Sequence, residues 1–195
     1  MKTFLLQALF LILWKSLAWG ERPNILFCIS DDQSYAHTGA NGDPVIKTPA
    51  FDRVAREGIR FTHAFCDAPT CGPSRSAILT GQHIWRLEEA GNIHSTLPKK
   101  FITYTEVLAK SGYSIGYTGK GWGPGIANNA QGKRRLITGR SFAKRKAKPP
   151  ARGISNNDYS ANFSDFLNAV PEGKSWCFWY GTTEPHRGYE YGNGV

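Results

Sequence analysis

Four stretches of the chain carry residues whose types and spacing suit chemistry. Asp31 and Asp32 are adjacent carboxylates that follow an apolar run, an arrangement suited to a hard divalent cation such as Ca²⁺ or Mg²⁺, which takes oxygen ligands. Capping of the following turn would account for a lone Asp-Asp equally well. The run Cys71-Gly72-Pro73-Ser74-Arg75-Ser76-Ala77-Ile78-Leu79-Thr80-Gly81 is more specific. Cys71 reads first as a disulfide partner, with Cys28, Cys66 or Cys177 as mates. The thiol-phosphatase spacing, Cys followed six positions later by Arg, starts from neither Cys66 nor Cys71. Tyr117-Thr118-Gly119-Lys120-Gly121 is glycine-rich, yet it fits neither the Walker pattern nor a dinucleotide fingerprint. Thr183-Glu184-Pro185-His186-Arg187-Gly188 sets a His after an aromatic run, and an isolated His there is more often a plain surface or core residue.

The elements that must position these residues alternate. Asn24 to Ser30 is a nearly continuous apolar run ending in acids, the pattern of a strand buried on both faces. Thr48-Pro49 can open a helix through about Glu57 with Gly58 as its stop, and Ile59 to Ala64 (IRFTHA) alternates like a strand. Ser74 to Thr80 is a short helix ended by Gly81. Thr105 to Ser111 is a helix closed by Gly112 and followed by a strand from Tyr113 to Thr118, and the helix Asn162 to Asn168 precedes the strand Trp176 to Tyr180. Strands alternating with helices predict an α/β fold, a mostly parallel sheet sandwiched by helices. In such sheets ligands gather at the carboxyl ends of strands, where Asp31-Asp32, Gly119-Lys120 and Glu184-Pro185-His186 all fall.

Cys71-x-Pro73-Ser74-Arg75 with its Leu79-Thr80-Gly81 tail resembles the signature of type I sulfatases of the alkaline-phosphatase superfamily. Thr118-Gly119-Lys120 resembles that family's Thr-Gly-Lys segment, and Pro185-His186 its Pro-His segment. Pro23-Asn24-Ile25-Leu26 and Thr48-Pro49-Ala50-Phe51-Asp52 fit its opening strand and first helix. The similarity covers Arg22 to the C-terminus and is closest to the heparan N-sulfatase-like branch. The resemblance implies an alkaline-phosphatase/sulfatase-like fold, of which this chain would be the incomplete N-terminal part. It also implies a sulfuric ester or sulfamate hydrolase acting on sulfated glycans. Cys71 would be converted to formylglycine by a maturation enzyme, and a hydroxyl of the hydrated aldehyde would attack sulfur while the second hydroxyl expels sulfate. Arg75 would stabilise the modified residue, Lys120 would contact and neutralise the sulfate, and His186 would contact it and protonate the leaving group. By the same resemblance Asp31, Asp32 and the residue derived from Cys71 would hold Ca²⁺ rather than Mg²⁺.

Two departures qualify this. Trp122 stands where many relatives place a His, and an aromatic there could form a wall of a sugar pocket. No Asp-Asn pair occurs to complete the metal site, and two or three oxygen ligands fall short of the usual six to eight. The expectation is therefore an N-terminal portion that is not a competent sulfatase by itself.

Charge sharpens the partner class. The 195 residues hold 24 Lys+Arg against 15 Asp+Glu, net +9, with 41% hydrophobic residues, which excludes a disordered basic tail. Lys2, the apolar Phe4 to Leu13 and Ala18-Trp19-Gly20 read as a secretory signal peptide over residues 1–20, too short to span a bilayer. The mature chain would be secreted or periplasmic, or lysosomal in a eukaryote, with no membrane span. Nine basic residues and no acid lie between Lys133 and Arg152, within a loop expected over residues 131–152. The rest of the mature chain carries 13 basic residues against 15 acids, so nucleic acid is not the expected partner. This strip is either a solvated loop or a contact for a polyanion, the latter being the alternative function of a secreted, non-catalytic sulfatase-like fragment. Asn162-Phe163-Ser164 is a glycosylation sequon.

Overall fold

The structure is a computed structural model that describes residues 22–188. The signal-peptide segment 1–20 and Tyr191 to Gly194 lie outside the described residues. A four-stranded parallel sheet has the order β1 (Ile25–Asp31), β6 (Trp176–Pro185), β3 (Ser114–Gly119), β5 (Arg140–Ser141). Two short strands, β2 (Ser95–Thr96) and β4 (Gly125–Ile126), form a separate parallel pair. The helices are α1 (Pro49–Glu57), α2 (Cys71–Thr80), α3 (Tyr104–Lys110) and α4 (Tyr159–Ala169).

The central strand explains its own sequence. β6 lies between β1 and β3, and Cys177, Phe178 and Trp179 are all at most 1% exposed, so successive residues are buried on opposite faces. On one face Phe163 and Phe166 of α4 pack on Phe178, with ring centroids 4.8 and 4.6 Å apart. On the other face Trp179 joins Leu79 of α2 with Leu87, Leu97, Phe101 and Ile137 in the main core. The sheet is thus covered by helices on both faces, as predicted.

β1 differs from the expectation of burial on both faces. Its residues alternate between half-buried and exposed, with Leu26 46% exposed, because β1 pairs only with β6 among the described residues and α4 packs further along the sheet. Residues 59–64 are not a strand; they form bends, and Ile59 and Phe61 are 83% and 73% exposed. Alternation makes a strand only where a neighbour supplies the hydrogen bonds. The sheet edges that were predicted for the central strands hold to within a residue at their starts, but β6 continues five residues past Tyr180.

Helix ends follow local chemistry. Thr103 caps α3 by accepting from the Glu106 N–H while Glu106 accepts from the Thr103 N–H, a reciprocal capping box. Asp158 caps α4 by accepting from the Ala161 N–H. α2 begins three residues earlier than its sequence suggested, because Pro73 sits within the first turn, where no backbone N–H is required. Gly81 ends α2 in the left-handed conformation, at φ 65°.

Candidate active site

The carboxyl ends of three neighbouring strands meet here. β1 ends at Asp31, β3 at Gly119 just before Lys120, and β6 at Pro185 just before His186, with Pro185 in register opposite Asp31. α2 brings a fourth group to the same place. Cys71 is its first residue and Arg75 lies one turn on, on the same helix face.

Asp31 is the centre of the cluster. Its Oδ1 accepts from Arg75 Nη2 at 3.3 Å and its Oδ2 accepts from Lys120 Nζ at 2.5 Å. The side chains of Arg75 and Asp31 are 2% and 7% exposed, so the pair sits in a low-dielectric pocket. Arg75 also donates through Nη1 to the carbonyls of Lys120 and Gly121, both at 2.9 Å. Burial lowers the affinity of Arg75 for its proton, and the charge and hydrogen bond of Asp31, with a smaller contribution from Cys71, oppose this. Cys71 therefore lies in the field of the buried guanidinium. Trp179 completes the frame: its indole N–H donates to the Lys120 carbonyl at 3.0 Å, and the Arg75 guanidinium lies 5.8 Å from its ring centroid.

The turn at Lys120 depends on close backbone approach. Gly119 has φ 67°, and a Cβ there would stand 2.0 Å from the carbonyl oxygen of Gly181. That contact lets Lys120 N–H donate to the Gly181 carbonyl at 2.8 Å and so fixes where the lysine leaves the sheet.

Of the residues singled out from sequence, Asp31, Arg75 and Lys120 are in direct contact, and Cys71 stands one helical turn from Arg75. Asp32 follows at φ 61° and is exposed. His186 is exposed beyond the end of β6. All four cysteines are free thiols, so the disulfide reading of Cys71 finds no partner. Burial pushes the Cys28 and Cys177 thiols up, away from the reactive thiolate.

Among the described residues no group of three or more His, Cys, Asp or Glu is arranged to hold a metal ion. Asp31 and Asp32 supply the carboxylate oxygens that a hard cation prefers, and each Asp31 oxygen keeps a further lone pair beyond the one given to Arg75 or Lys120. The donor chemistry fits; two carboxylates do not make a full coordination shell.

Sequence reasoning missed Trp179 and Ser76. Trp179 was visible only as one aromatic of a strand. Trp122 does not offer its N–H to a ligand: it donates to Ser76 Oγ at 2.8 Å. The basic strip is partly structural. Arg135 donates to both Glu106 oxygens and to the Pro98 and Phe101 carbonyls, and Arg145 forms a two-point pair with Asp165.

No helix among the described residues is long and apolar enough to cross a membrane. The chain is 36% identical over 115 residues to human arylsulfatase D, covering 54% of this chain and 19% of that protein. It is 33% identical over 110 residues to the N-acetylgalactosamine-6-O-sulfatase of Bacteroides thetaiotaomicron, covering 54% and 21%. Human arylsulfatase A is 36% identical over 125 residues, covering 62% and 24%. The chain thus spans about a fifth to a quarter of the length of these relatives. Its fold is shared with a protein solved with its substrate D-glucosamine-2-N,6-O-disulfate, at a TM-score of 0.60 and 24% identity over 87% of this chain and 36% of that one. The phosphonate monoester hydrolase of Agrobacterium radiobacter shares it at a TM-score of 0.57 and 17% identity, over 85% and 41%. The sulfatase family model matches residues 23–195, which takes in all four strand-end and helix-start positions, and the chain belongs to the sulfatase family.

Proposed function

We propose that this chain carries the sulfate-binding and nucleophile-bearing part of a hydrolase for sulfate esters or sulfamates of glycans, with Cys71 matured to formylglycine. The observation that carries the reading is the Arg75–Asp31–Lys120 cluster beside Cys71 at the carboxyl ends of the parallel strands. Formylglycine, once hydrated, supplies an oxygen nucleophile that a thiol cannot supply, together with a second hydroxyl for release of sulfate.

Each residue of the candidate site has a task in this reading. Arg75, locked by three hydrogen bonds and aimed along α2, holds positive charge beside residue 71. Lys120, at 22% side-chain exposure, is open enough to turn its ammonium onto a sulfate oxygen, and Asp31 keeps it placed until then. His186 contacts the sulfate and protonates the departing oxygen or nitrogen from the end of β6. Asp31 and Asp32, with an oxygen on residue 71, would hold Ca²⁺, which supplies further positive charge against the sulfate. The remaining ligands come from outside the described residues. The substrate is a sulfated glycan, consistent with the disulfated sugar bound by a fold relative. Residues 1–20 direct the chain to secretion, and a formylglycine-generating enzyme is its maturation partner.

Mass spectrometry of the peptide spanning Cys71, after expression with active maturation machinery, tests the reading. Conversion lowers the residue mass by about 18 Da. An unmodified thiol under those conditions would overturn it. Sulfate release by the 195-residue chain is expected to be negligible, since two carboxylates and residue 71 leave the metal undercoordinated.

A further inference from the structure

A cavity of mixed polar and apolar lining lies beside the Gly121 peptide. It has a volume of about 200 Å³, and its polar walls are Tyr117, Arg134, Arg135, Thr138 and Ser141, with Trp122 alongside. The only lining side chains that carry charge are two arginines; no carboxylate lines it. Arg135 spends its donors on Glu106 and two carbonyls, and Trp122 spends its N–H on Ser76. Arg134 has no ion pair among the described residues, and the hydroxyls of Tyr117, Thr138 and Ser141 enter none of their hydrogen bonds. Thr138 as a whole is only 5% exposed, and with no protein partner its hydroxyl is free to donate to a group that enters the cavity.

The cavity shares a wall with the candidate active site. A Cβ on Gly121 would stand 2.7 Å from Thr138 Oγ1, so the Thr138 hydroxyl lies directly behind the peptide whose carbonyl accepts from Arg75. We infer that this cavity is a second anion site, which takes one sulfate group on Arg134 and the hydroxyls of Thr138, Tyr117 and Ser141. A tetrahedral oxyanion is an acceptor on every corner, and the Arg134 guanidinium and the three hydroxyls can each donate to it. The volume is below the roughly 300–1,000 Å³ of sites that enclose a whole small molecule, which suits a single charged group. The group is either inorganic sulfate or a sulfate on a glycan; the chemistry that recognises it is the same. This site is independent of whether Cys71 is matured.

Calorimetric titration of the 195-residue chain with sodium sulfate, and separately with D-glucosamine-2-N,6-O-disulfate, tests the inference. Arg134→Ala should weaken sulfate binding by about tenfold or more, and Thr138→Val, which keeps the volume, by about two- to tenfold. Neither variant should shift the melting temperature of the exposed-arginine wild type by more than a few degrees, and Lys120→Ala should leave this binding in place. Equal losses with both ligands assign the site to glycan sulfate; a loss with sodium sulfate alone assigns it to the free ion. Wild-type chain that takes up no sulfate, or binding that Lys120→Ala abolishes while both cavity variants retain it, would overturn the inference.

Discussion

The Arg75 guanidinium reaches from α2 to Asp31 Oδ1 at the end of β1 at 3.3 Å, and neither partner has meaningful access to water. Removing one partner of such a pair strands the other charge in a low-dielectric pocket, at a cost of about 3–5 kcal/mol. Asp31→Ala should therefore destabilise the chain by that amount in chemical denaturation. Asp31→Asn, which keeps an acceptor oxygen for Arg75, should cost less. Equal stability of wild type and Asp31→Ala would show that the buried pair is not a structural element.

Gly119→Ala tests the close approach of β3 and β6. The added Cβ would meet the Gly181 carbonyl oxygen at 2.0 Å and the Tyr159 ring at 2.6 Å, and the residue would also hold φ 67°. Backbone cannot yield as a flexible side chain does, so the expected loss is at least about 4 kcal/mol, in the exceptional range for one methyl group. Thermal melting of the variant checks this.

The acid limb of stability should depend on Glu106. Burial raises its carboxyl, but the hydrogen bond from Arg135 and that from the Thr103 N–H outweigh this and hold it below the usual carboxylate range. Because the folded value is the lower one, the stabilisation is present in full above the unfolded value of about 4.3 and is lost as pH falls through the folded value. In Glu106→Gln, stability measured by denaturant titration should fall less steeply across that acid window, from a lower plateau at neutral pH. An identical acid limb in both proteins would refute the assignment.

The sequon at Asn162 should stay unglycosylated in the folded protein. Asn162 is 1% exposed, accepts from the Arg145 N–H and donates to the Arg145 and Asp158 carbonyls and to Asn157 Oδ1. Chain recovered folded from a glycosylating host should show no glycan mass at the peptide containing Asn162. Folded, glycosylated material would contradict the burial.

Much of this was written locally. The two-face burial of Cys177 to Trp179 follows from a continuous apolar run, and Arg75 stands one turn from Cys71 because the motif is helical. What depends on distant partners was hidden. Ile59 to Ala64 has the alternation of a strand without a neighbour to pair with, and β1 has the composition of a central strand at an open position. The capping box Thr103–Glu106 was readable from spacing alone and was passed over in favour of a start at Thr105. The anion cavity could not be read at all, since Tyr117, Arg134 and Thr138 become neighbours only when the chain after Gly119 folds back over β3.

The pairing of β1 with β6 joins Ile25 to Cys177, so the first strand must wait for almost the whole described chain before it finds its partner. From the emergence of Cys71 to that of Cys177, 106 residues must be translated, about 5 to 20 seconds at ordinary ribosomal speed. During that interval the segment around Cys71 has neither the Asp31 clamp in place nor the Trp179 wall behind it. Once β6 docks, Gly72 and Pro73 are buried, while Cys71 itself stays partly exposed. The long-range topology of the sheet thus makes the first turn of α2 one of the last parts of the molecule to acquire its surroundings.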